Sequence, residues 1–150
     1  MTPPAKGFET DFVTGWAVYL AAAGLGLWEA SGFGSAVGIV DSAELPDSPA
    51  RVIALSSYGV SDDPTLSDSV TALQVLCRWE GADMSPSRDL ADAVFNLLQG
   101  AQHVTLSTGV HVVECSRNSG PASLGRDAHG RWANSSNFYC TCHRPSANRT

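Results

Sequence analysis

Basic side chains are scarce in this chain: 9 Lys and Arg stand against 15 Asp and Glu, giving a formal charge of −6 and a pI near 5.0. An acidic protein of this kind lacks the basic field on which binding to phosphate backbones rests, which argues against a nucleic-acid reader. Long apolar runs are missing too. The run from Trp16 to Trp28 covers 13 residues, whereas a bilayer requires about 20. It is a poor signal peptide as well, because Glu9 and Asp11 precede it against a single Lys6. The expectation is a protein made and kept in a cytoplasm-like compartment, with no membrane partner and with its four cysteines as thiols. Asn134-Ser-Ser and Asn148-Arg-Thr match the glycosylation pattern but carry no meaning without secretion. Signatures of catalysis are also lacking. There is no Gly-x-Ser-x-Gly elbow, no Ser-x-x-Lys and no His-Glu-x-x-His, and His103, His111, His129 and His143 are scattered.

What is present reads as one domain over residues 1–150, long enough to bury roughly 70% of its unfolded surface. The stretch Arg51 to Trp79 organises it. Val52 to Tyr58 and Val70 to Trp79 are rich in β-branched and aliphatic residues, and an acidic connection through Asp62, Asp63, Pro64 and Asp68 separates them. That is the composition of two core strands joined by a loop. In the second strand Leu73, Val75, Cys77 and Trp79 should face the core, with Gln74, Arg78 and Glu80 on a partly polar face.

Two helices flank this pair. From Thr10 as N-cap, Phe12, Val13, Trp16, Ala17, Leu20 and Ala21 recur at helical spacing and Gly24 is placed to end the run. Ser85-Pro86 opens a second helix, lined by Leu90, Ala91, Val94, Leu97 and Leu98 and stopped at Gly100. Gly32-Phe-Gly34-Ser-Ala-Val-Gly38 loosely resembles a phosphate-binding loop, but a helix precedes it and a short strand, Val37 to Val40, follows, which is the wrong order. His103 to Leu106 and Val110 to Cys115 flank Ser107-Thr-Gly109 as a hairpin. Ser116 to Ser136, broken by Gly120-Pro121, Gly125 and Gly130, reads as a long loop, poorly ordered in the isolated subunit. Asn137 to Arg144 alternates as a last strand, while Met1 to Gly7 is expected to be a mobile arm and the tail from Pro145 to fray. The class is α+β: a small, mainly antiparallel or mixed sheet with two principal helices packed on one face.

The best metal candidates are Cys115, Cys140, Cys142 and His143. Residues i and i+2 of a strand lie about 6.5 Å apart, however, and two thiolates on one zinc must come within roughly 4 Å. His143 also alternates to the opposite face. Buried thiols without metal are the expectation, and a small metal- or thiol-dependent enzyme is the alternative of another class.

Leu45-Pro46-Asp47-Ser48-Pro49-Ala50-Arg51-Val52-Ile53-Ala54-Leu55 is followed by Tyr58-Gly59, Asp63-Pro64-Thr65-Leu66, Gln74-Val75 and Arg78. Further on come Leu124-Gly125-Arg126-Asp127, Gly130-Arg131 and Asn137-Phe138. In this order and spacing, across nearly the whole chain, these pieces resemble the tail-terminator or minor capsid proteins of long-tailed bacteriophages. A departure is that Cys77 and Trp79 flank Arg78 where more polar surroundings are expected.

The resemblance implies a hexameric ring on the end of a finished tail tube, which stops polymerisation and presents a surface to the head-completion protein. It implies a place at the tail-neck junction of the virion after assembly in the host cytoplasm. Phage DNA would pass through the ring without sequence-specific binding. A head-completion or connector adaptor of the neck is the nearest alternative. The resemblance brings no catalytic residues and no cofactor. It offers interface candidates, Asp62 and Asp63 in one loop and Arg126, Asp127 and Arg131 in the other, for which ordinary solvated charge is the competing reading. Residues 1–100 carry 13 acids and 4 bases, and residues 101–150 carry 2 acids and 5 bases. Such an imbalance suits a head-to-tail interface between different patches of one subunit.

Overall fold

In the computed structural model, which describes residues 1–150, α1 (Phe8–Ala22) buries Phe12, Val13, Trp16, Ala17 and Leu20 along one stripe. It starts a turn earlier than Thr10 predicts, with Gly7 at the cap position and no side-chain cap. Tertiary packing supplies the missing turn: Phe8 stacks on Phe12 at 5.8 Å, and the Arg144 guanidinium lies 4.3 Å from the Phe8 ring. At the other end Gly24, at φ 85°, lets its N–H reach Ala21 O while Leu25 N–H reaches Leu20 O. These paired reverse bonds satisfy carbonyls that the helix end would otherwise leave open.

The chain then makes β1 (Leu27–Trp28), β2 (Gly38–Asp41), β3 (Val52–Asp62) and β4 (Asp68–Trp79). After α2 (Ser85–Leu98) come β5 (Gln102–Thr105), β6 (His111–Arg126) and β7 (Trp132–His143). All seven strands form one sheet in the order β1-β2-β3-β4-β7-β6-β5. It is mixed: β1, β2 and β3 are parallel, and every later pairing is antiparallel. Seen along β4, Trp79, Trp132 and Arg126 share one end of the sheet, while Asp62, Asp68 and His143 share the other.

One contiguous core joins Phe12, Trp16 and Leu20 of α1 and Leu90, Val94 and Leu98 of α2 to Ile53, Leu55, Leu73, Val75 and Phe138 of the sheet. Alternation along the strands places those sheet residues on one face. The opposite face carries a ladder of neutral polar groups. Ser56 Oγ donates to Gln74 Oε1, Tyr58 OH to Asn137 Oδ1, and Asn137 Nδ2 to Ser119 Oγ. Gly15 sits where α1 crosses the β5–β6 turn, since a Cβ there would stand 2.7 Å from Leu106 Cβ and 2.8 Å from Thr108 Oγ1.

The structure corrects two expectations. Residues 116–136 do not form a long loop: β6 runs to Arg126, β7 starts at Trp132, and only a short turn joins them. The pairing there slips at Arg117/Ser119, Ser119/Ala122 and Ser123/Gly125, so the period-two signal is broken although the strand continues. The last residues are also tied down. Ser146 and Arg149 form a bridge, and Arg149 donates to Ser69 Oγ, Arg144 O and Asp63 O.

Two stretches of strand lack an outer neighbour. β2 covers β3 only over Val52–Leu55, so the outer side of Ser57–Asp62 is unpaired. β5 covers β6 only over His111–Glu114, and after Arg117, whose N–H is taken by Gln99 Oε1, the outer side of β6 is unpaired to Arg126.

Candidate assembly interface

The two charged loops named from sequence lie at opposite ends of the sheet. At the acidic end β3 and β4 are closed by a tight turn in which Asp63 Oδ1 accepts from Thr65 Oγ1 at 2.6 Å and Thr65 N–H at 2.7 Å. Those two bonds, the hydroxyl first, hold the Asp63 carboxyl below its ordinary value. Asp62, with 57% of its side chain exposed, has only Arg149 nearby, at 3.9 Å. Asp63 is therefore largely occupied in shaping its own turn, and Asp62 presents its charge outward.

At the opposite end the turn between β6 and β7 is built on Asp127. Its Oδ1 accepts from His129 N–H at 2.9 Å and Arg131 N–H at 3.0 Å, and its Oδ2 from Arg131 Nε at 2.7 Å. Burial would raise this carboxyl, but the backbone N–H and guanidinium of Arg131 and the His129 N–H outweigh it and bring it down to about 2. Arg131 is itself only 8% exposed and reaches on to Asp47 O at 2.8 Å. Asp127 and Arg131 thus satisfy one another within the subunit. Arg126 differs: its Nε donates to Gly130 O at 3.3 Å beside the Trp132 ring, and it makes no ion pair.

Arg78 completes this end, and reading it as part of a partly polar strand face missed its role. It is 2% exposed, donates from Nε to Ala50 O and from Nη2 to Pro49 O, and has Nη1 3.8 Å from Asp127 Oδ2. Burial, and then the neighbouring charge of Arg131, lower its pKa against the opposing pull of Asp127 and Asp47. The signal available in the sequence was the Leu45–Pro49 turn itself, whose carbonyls cannot all be satisfied by a strand ladder. Arg144 was likewise missed as an anchor, bonding Glu9 Oε1 at 3.1 Å.

The cysteines lie in the core. Cys77, Cys115, Cys140 and Cys142 are free and buried. Burial pushes Cys77 and Cys142 up to about 12, and Cys140 is raised by its contact with Cys115 and by burial. The Cys115 and Cys140 sulfurs stand 3.4 Å apart. His143 points elsewhere, toward Asp68 at 3.3 Å, so Cys140, Cys142 and His143 do not converge, and no three His, Cys, Asp or Glu side chains could hold an ion.

Two helices and a seven-stranded mixed sheet, with an outward acid, Asp62, at one end and an outward base, Arg126, at the other, define a small α+β protein whose distinctive features are surfaces and edges. The sequence model of the family described as bacteriophage tail terminator protein matches residues 19–144, from the last turn of α1 to just past β7. The chain belongs to that family of phage structural proteins. No curated protein matches it. Among solved structures, a chain of the "Virion of native gene transfer agent (GTA) particle" is similar in fold, with a TM-score of 0.51 and 16% identity over 69% of this chain and 77% of that one.

Proposed function

We propose that this protein caps the end of a finished phage tail tube as a hexameric ring. There it stops tube polymerisation and offers its far side to the head-completion protein, at the tail-neck junction. Membership of the tail terminator family carries this reading. The geometry supports it. α1 and α2 share one core with the sheet, while the ends of the strands and the open edges of β3 and β6 are free to meet neighbours. Asp62 at one end and Arg126 at the other are outward charges, each able to meet an opposite charge on a neighbouring copy in a head-to-tail contact. The acidic surplus would favour passage of DNA through the ring, because attraction to phosphate would hold it back.

Electron microscopy of particles lacking the protein tests the assignment. Overlong tails detached from heads are the expected outcome. Tails of normal length that fail to join filled heads would instead assign the protein as a head-completion adaptor, and purified protein should bind tube ends and not heads.

A further inference from the structure

The two unpaired stretches of strand form a matched pair. Resting on the ring reading above, we propose that neighbouring copies join edge to edge. The open outer side of β3, Ser57–Asp62, in one copy would pair antiparallel with the open outer side of β6, Ser119–Arg126, in the next, so that one sheet continues around the ring.

The backbone is oriented for it. Leu55 O accepts from Ser42 N–H at 3.0 Å, on the outer side of β3. Alternation then turns the N–H and C=O of Ser57 and Gly59 the same way, where no strand follows; past Gly59 the register of β3 slips, so these two residues carry the regular part of the open edge. Directions agree as well. β3 is antiparallel to β4, β4 to β7 and β7 to β6, so β3 and β6 of like-oriented copies run in opposite senses.

The offset between the two stretches fits ring closure. Gly59 is level with Thr71 of β4, whereas Ala122 is level with Ser135 and so with Leu76. That difference of five residues along β4 is about 17 Å, while the lateral repeat β3, β4, β7, β6 spans four strand spacings, about 19 Å. With Gly59 set opposite Ala122 of the neighbour, a closed sheet with those steps would have its strands tilted by about 42°, within the range of roughly 35–45° found in barrels.

The ends complement each other in charge. A neighbour's β6 entering beside β3 would abut the end of β2, bringing Arg126 to Asp41, and neither makes an ion pair within the subunit. At the other end Asp62 would approach Arg117, beside the start of β5. Pro121 has no N–H to donate and β6 slips register at Ser119/Ala122 and Ser123/Gly125, so the contact would be an interrupted ladder, carried by the residues on either side of those breaks.

Gly59→Pro tests the pairing, with Gly59→Ala as control. A Cβ at Gly59 meets nothing within 4 Å, and its N–H faces away from β4, so proline deletes an outward donor and no internal ladder bond. With full-length protein and tail-tube protein, Gly59→Ala should cap tubes normally. Gly59→Pro, at an unchanged unfolding midpoint, should not cap them. Should Gly59→Pro fold poorly, the charges decide. Arg126→Glu should raise the concentration for half-maximal capping about tenfold, and adding Asp41→Arg should restore it to within about twofold. Unmodified protein that neither forms rings nor caps tubes overturns the function proposed above. Normal capping by folded Gly59→Pro, or no rescue of Arg126→Glu by Asp41→Arg, overturns the edge pairing alone.

Discussion

Asp127→Asn should weaken the fold at neutral pH and make no difference in strong acid. The carboxylate stands between two nearly buried guanidiniums, Arg131 at 2.7 Å and Arg78 at 3.8 Å. Its carboxyl is held at about 2 against an ordinary 3.8, which at full strength corresponds to at most about 2.5 kcal/mol. Since 31% of the side chain is solvent-exposed, screening reduces this to about 1–2 kcal/mol. Loss of the charge also leaves Arg78 and Arg131 facing each other uncompensated, which keeps the expectation near the upper end. In urea this amounts to a midpoint lowered by roughly 0.5–1 M. The depressed pKa fixes the pH dependence. Stabilisation by the Asp127 charge is complete above about pH 4, declines as pH falls and is gone below about 2. Urea titrations of both proteins at pH 7, 4, 3 and 2 should therefore show a gap that closes toward pH 2. A gap of the same size at all four pH values, or none at pH 7, would refute the argument that the charge of Asp127 holds this turn.

Gly15→Ala should destabilise the protein by about 1–3 kcal/mol in spite of alanine's better helix propensity, because the new methyl collides with Leu106 and Thr108; an unfolding midpoint at or above that of the unmodified chain would count against it. Arg131→Glu should prevent stable folding, since it sets an acid against Asp127 in a nearly buried site, whereas Arg126→Glu should leave the midpoint unchanged and reduce capping most at low salt. Equal thermal stability of these two variants would show that the turn is not built as described. Cys140→Ala with Cys142→Ala should cost about 1 kcal/mol per site and leave capping intact. Elemental analysis of the purified protein is expected to find no stoichiometric metal, and zinc lost together with folding in the double variant would contradict the reading of these thiols as packing groups.

Much of the fold was legible where apolar residues recur without interruption. The stripe of Leu90, Ala91, Val94 and Leu98, the β3–β4 pair and the hairpin around Gly109 each carry a single clean period, and the structure places them as expected. The second half of β6 was not legible. Gly120, Pro121 and Gly125 read as breakers, yet they sit in a strand whose register slips around them. The first half of β7 was hidden for another reason: Asn134 and Ser136 are polar but buried, Asn134 Nδ2 donating to Ser87 O of α2. Of the charged candidates, the sequence showed that acids and bases collect in different loops. It could not show that Asp127 and Arg131 are consumed by each other, because that depends on Arg78, Pro49 and Asp47 arriving from distant parts of the chain.

The meeting of those distant residues bears on how members of the family can exchange parts. Asp47, Pro49 and Ala50 supply carbonyls, Arg78 and Arg131 supply guanidiniums, and Asp127 supplies the counter-charge. Separated by up to 84 residues in sequence, they constitute a single heritable unit. A chimera that transplants only the Leu45–Arg51 turn, or only the Gly125–Arg131 turn, from a divergent relative would inherit half of a lock. Recombination within the family should therefore tolerate crossovers that keep all three segments from one parent, and natural variation at positions 47–50, 78 and 127–131 should move together.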